Sequence, residues 1–210
     1  MLTLLKQKVF HHIKINKIPY SLLFSALFIG AVAGGIAARL APHTIESLIT
    51  DMSIFFSTYS LFGADNLATF SRSALANIQV IFLIFISGFF RATVPLIFLW
   101  VGSVGFKIGF STIFFISAYS AGGALLAALL IWIPNLIFLP ILLCFAMSSI
   151  RTAGIMHKLK SCGGAKALKR KLYVNHIKEF LFFCALAIIC GGIEAFVLPT
   201  ILRPIVGLFV

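Results

Sequence analysis

Between Asn77 and Ile150 the chain carries only two formal charges, Arg91 and Lys107. No single soluble helix accommodates an apolar run of that length. A bilayer's hydrocarbon core, about 30 Å thick, is crossed by roughly 20 apolar residues rising about 1.5 Å each. The run therefore predicts three crossings, punctuated at Gly88–Arg91 and at Tyr119–Gly123. The chain is an integral membrane protein, and its function has to be argued in that solvent.

Composition agrees. With 61% hydrophobic residues, 10% charged and 23 Phe, a soluble domain of this size would precipitate, whereas a membrane bundle tolerates such a balance. A net charge of +12 would suit a nucleic-acid binder if it covered one soluble face. Here the cations cluster beside apolar spans, as topology signals do, so no nucleic acid is expected. Cys144, Cys162, Cys184 and Cys190 show no Cys-x-x-Cys spacing, and three lie in apolar runs. Neither disulfide nor metal site is expected.

Residues 1–19 alternate Lys6, Lys8, Lys14 and Lys17 with apolar residues, as in a tail lying on anionic headgroups. The first span is expected over 20–40, with a Gly-x-x-x-Gly surface at Gly30, Gly34 and Gly35. From Pro42 to Ala76, Ile45, Leu48, Met52, Phe55 and Phe56 recur at helical spacing opposite Glu46 and Asp51. Amphipathic extracytoplasmic helices are therefore expected between spans one and two. They would either rest on the outer leaflet or dock an extracytoplasmic partner.

The remaining spans are expected near 75–91, 95–118, 122–150 and 179–199, with a basic loop over 151–178. Pro95 suits a first helical turn. Gly102, Gly105 and Gly109 leave one face of span three almost bare. Pro134 and Pro140, flanking Asn135, free the carbonyls of Leu130 and Leu136 within span four. Such a break survives at membrane depth only where protein or trapped water satisfies it. The fold class is thus all-α, a single polytopic bundle of five transmembrane helices.

Residues 1–19 and 151–178 hold twelve Lys and Arg, against Arg39, Arg72 and Arg203 on the other side. The positive-inside rule places the N-terminus in the cytoplasm and the C-terminus outside the plasma membrane. Lys107 and Glu194 then lie about 18 and 22 Å into the membrane. Two arrangements are open: an ion pair between spans three and five, or Lys107 on freed carbonyls with Glu194 protonated. Either avoids the roughly 2.5–3.5 kcal/mol that an isolated charge costs there.

No catalytic constellation is present. His-Glu-x-x-His and Gly-x-Ser-x-Gly are absent, and five acidic residues leave little material for acid–base work. A non-enzyme without cofactor is expected.

Several segments resemble stage II sporulation protein M and its wider family of five-span membrane proteins. Asn77-Ile-Gln-Val80 followed by Ser87-Gly88 resembles the start of the family's second span. Gly105-Phe-Lys-Ile-Gly109-Phe110 resembles its glycine-rich third span. Ile133-Pro-Asn-Leu-Ile-Phe-Leu-Pro140 and Ile193-Glu-Ala-Phe-Val-Leu-Pro199 resemble its fourth and fifth spans. The resemblance implies a role in engulfment in spore-forming Gram-positive bacteria. There the protein would anchor a septal peptidoglycan-remodelling complex whose enzymes are a lytic transglycosylase and an amidase/endopeptidase. Self-association into a homo-oligomer is left open. The competing class is a transport or permease component with a substrate path along the broken fourth span. Co-purifying wall hydrolases would mark a scaffold, and solute flux in liposomes a permease.

Overall fold

The structure, a computed structural model, describes residues 17–40, 66–161 and 166–206. The amphipathic stripe at Ile45, Leu48, Met52, Phe55 and Phe56 lies outside them. Five helices are long and apolar enough to cross a membrane, and no strand occurs among the described residues. We label them α1 (Lys17–Leu40), α2 (Asn66–Ser87), α3 (Val94–Ala127), α4 (Ile133–Ser161) and α5 (Lys166–Val206). A 3-10 turn at Arg91–Thr93 precedes α3, and a π-helical turn at Ala128–Trp132 precedes α4.

α3 is not one straight rod. At Ser120 the backbone takes φ 51° and ψ −126°. In a straight helix Gly123 would lie about 12 Å along the axis from Phe115, yet a Cβ on Gly123 would run into the Phe115 carbonyl. The chain therefore doubles back here. Residues up to Ser120 belong to the third span, and those from Gly122 to the fourth. Gly123 is glycine because the returning backbone leaves no room for a side chain.

α1 and α3 pack through bare backbone. A Cβ on Gly30 would meet the Gly102 carbonyl, and one on Gly34 the Phe106 carbonyl. On the other helix, Gly105 faces the Leu27 carbonyl and Gly109 that of Ala31. The paired numbers rise together, so the two helices run parallel, as two spans separated by one return crossing must. In lipid, where burial of apolar surface gives no drive, such close approach supplies association through van der Waals contact.

α2 and α5 form the second pair, antiparallel. Phe70 packs on Phe196, Gly191 sits against Ala74, and Phe82 meets Phe180. α4 touches all four other helices and places Leu142, Phe145, Ala146 and Met147 in the core. Outside, Phe28, Leu136, Phe182 and Phe196 stand exposed, a surface suited to acyl chains and not to water.

Several boundaries differ from expectation. α2 begins at Asn66 and not near residue 75, because Ser71 and Arg72 stand exposed on its first turns. The segment 151–178, expected as a loop, is helical through Ser161 and again from Lys166. Its cations are compatible with a helix reaching beyond the apolar layer, and no proline interrupts it. α5 likewise continues through Pro199 to Val206.

Candidate functional site

The polar side chains gather at the end of the bundle that carries the basic segment. α2 stops at Ser87 and the chain turns at Gly88, whose N–H reaches the Ile84 and Phe85 carbonyls at 3.0 and 3.1 Å. The Thr93 hydroxyl shares its proton between the Ser87 and Phe90 carbonyls, at 2.7 and 2.8 Å. That side chain ties α2 to the start of α3.

His176 enters this turn from α5 and is 1% exposed. Its ring stacks on Phe85 with centroids 4.9 Å apart and lies nearly parallel to Phe145 at 6.0 Å. Phe89 presents its edge at 5.3 Å. Nε2 lies 3.3 Å from the Phe85 carbonyl, the geometry of an N–H donating to it. Nδ1 and the Ser149 hydroxyl are both buried with no hydrogen-bond partner among the described residues. Gly88 has no side chain because a Cβ there would stand 2.7 Å from Nε2 and 3.1 Å from the Ser149 Cβ.

One turn further along α5, Glu179 accepts a hydrogen bond from the Ser148 hydroxyl of α4 at 2.5 Å. Histidine and carboxylate thus take separate partners, and these contacts build no serine–histidine–carboxylate relay. They fasten the ends of α2, α4 and α5 to one another. Among the described residues no three His, Cys, Asp or Glu come together as metal ligands, and Cys144, Cys184 and Cys190 are free thiols.

The intramembrane residues singled out from the sequence lie elsewhere. Gly105 and Gly109 form the α1–α3 contact. Pro134 is buried directly after the π turn, in which the Ile133 N–H reaches back to the Ala128 carbonyl. Asn135 donates from Nδ2 to the Ile131 carbonyl at 2.7 Å, so a neighbouring side chain serves the backbone beside the proline. Pro140 stands exposed inside α4, and Pro199 lies within α5.

Lys107 and Glu194 are not brought together. Lys107 is exposed on α3 and Glu194 half-buried on α5, and those two helices make almost no contact. Similar depth did not imply adjacency, because α3 spends its packing face on α1.

The sequence reading missed His176, Ser148, Ser149 and Glu179. A signal was available. His176 falls in register with Phe180, Phe183, Ala187 and Cys190, the stripe that α5 turns towards the core. Its neighbours Asn175 and Lys178 masked that register by looking like a solvated loop.

The family model described as Stage II sporulation protein M matches residues 20–199. The chain belongs to this family. The match spans α1 to α4 and α5 as far as Pro199, and family membership makes this a multi-pass membrane protein of sporulation. No curated protein and no solved structure matches the chain.

Proposed function

We propose that the protein is a non-enzymatic membrane scaffold that anchors a septal peptidoglycan-remodelling complex during engulfment. The observation that carries this reading is the family match over residues 20–199. The architecture supports it: the polar groups at the basic end tie helices together, and the glycine contact favours a rigid bundle. In this reading the N-terminus and the basic segment are cytoplasmic and the C-terminus extracytoplasmic. The 42–76 segment faces the wall enzymes, with Ile45, Leu48, Met52, Phe55 and Phe56 as its docking stripe.

The test is affinity capture of the tagged full chain from sporulating cells, paired with a flux assay in proteoliposomes. A scaffold brings down a lytic transglycosylase and an amidase/endopeptidase and moves no solute. Deleting the stripe abolishes the capture. Solute flux without captured hydrolases would overturn the scaffold in favour of a permease.

A further inference from the structure

A cavity of about 620 Å³ opens at the basic end, beside the polar cluster, with Phe89 between the two. Its walls come from the turn between α2 and α3 (Phe89, Phe90, Arg91) and the last turns of α4 (Met156, His157, Lys160). Two features of this lining point the same way. Arg91 comes from the turn and Lys160 from α4, and among the described residues no carboxylate lines the cavity. Glu179 is engaged by Ser148, and Glu194 lies near the far end of α5, one turn beyond the Gly191 that packs on Ala74. Among the described residues, then, no carboxylate stands in the wall beside these two cations.

Apart from Arg91, Lys160 and His157 the wall is apolar. Lys160 holds its Nζ 5.2 Å from the centre of the Phe90 ring, which orients an ammonium in the lining without neutralising it. Phe90 itself is exposed towards the bundle's outer surface. The cavity sits where the apolar spans give way to basic residues, at the depth of lipid headgroups. Its volume is of the size that holds a small organic group, well beyond a single phosphate ion. A guanidinium, an ammonium and aromatic walls at that depth match a phosphodiester carrying acyl chains.

We propose that this cavity binds the phosphate of an anionic phospholipid, with Arg91 and Lys160 on the phosphate oxygens and Phe89 and Phe90 against the glycerol and upper acyl chain. The site goes beyond the scaffold reading and does not depend on it. It would tie the α2–α3 turn and the end of α4 to one leaflet, independently of any wall enzyme.

The test uses the purified full chain in neutral detergent and native mass spectrometry with added phosphatidylglycerol. Wild type should retain one phosphatidylglycerol in preference to phosphatidylcholine, whose choline cation opposes Arg91 and Lys160. R91Q/K160Q should weaken retention about tenfold or more, as expected when two charge-assisted contacts are lost. Both side chains are exposed, so the variant should keep its circular dichroism spectrum and melting temperature. R72Q, at the other end of α2, should retain the lipid as wild type does. Millimolar inorganic phosphate should not displace it. Equal retention of the two lipids, unchanged retention by R91Q/K160Q, or displacement by inorganic phosphate would each overturn the proposal, the last by making this a free-anion site.

Discussion

The imidazole of His176 lies stacked on Phe85 at 4.9 Å while its Nε2 reaches that residue's own carbonyl at 3.3 Å. One side chain of α5 thus holds both the ring and the backbone of α2. Substituting alanine removes the stack and leaves a cavity beside Phe85, Phe89 and Phe145, costing about 2–4 kcal/mol. Phenylalanine keeps the aromatic volume and loses the polar contact, so H176F should cost only about 1 kcal/mol. Melting in detergent should order the proteins wild type, H176F, H176A.

The glycine contact between α1 and α3 makes an internally controlled prediction. A Cβ on Gly102 would sit 3.4 Å from the Ala26 carbonyl, an ordinary contact, whereas Cβ atoms on Gly105 and Gly109 would collide with main chain. G102A should be neutral or stabilise by up to about 1 kcal/mol through helix propensity. G105A and G109A should destabilise by about 1–3 kcal/mol, because the helices must part. Equal melting temperatures for all three would contradict the packing.

Ser120 occupies the conformation of the first central residue of a type II′ turn, ordinarily glycine. S120G should raise stability by about 1 kcal/mol by relieving backbone strain, and S120V should lower it. Thermal unfolding of the two variants measures the difference directly.

Because Lys107 and Glu194 sit on helices that hardly meet, their effects should be independent. The stability changes of K107M and E194Q should add to within about 0.5 kcal/mol in the double variant. Recovery in the double variant would mean that the two charges are partners after all.

Orientation is open to chemical labelling. In a background lacking the native cysteines, a cysteine at residue 65 should react with membrane-impermeant thiol reagents in intact cells. One at residue 166 should be protected. The opposite pattern would invert the assignment of sides.

Number and type of helices were legible because apolar length is a one-dimensional property: a run such as Pro95–Ala118 has nowhere else to go. The small-residue faces of Gly30/Gly34 and Gly105/Gly109 were legible as surfaces. That they meet each other was not, since composition names a face and not its partner. The same gap left the pairing of Lys107 and Glu194 open, because similar depth does not establish adjacency. His176 was obscured for a different reason. A histidine among lysines looks solvated, and its register with Phe180, Phe183 and Ala187 counts only once the helix is known to run back through it.

The parallel contact between α1 and α3 also has a temporal side. The glycines of α1 reach the bilayer while their counterparts are still being translated. Gly109 follows Leu40 by about 70 residues, or roughly 4–14 s at ribosomal speed. For that interval the first helix stands in the membrane with a bare flank and no mate, and α2 must cross in the opposite direction beside it. The nascent protein thus depends on something, lipid or insertion machinery, to keep that flank unoccupied until the third helix arrives.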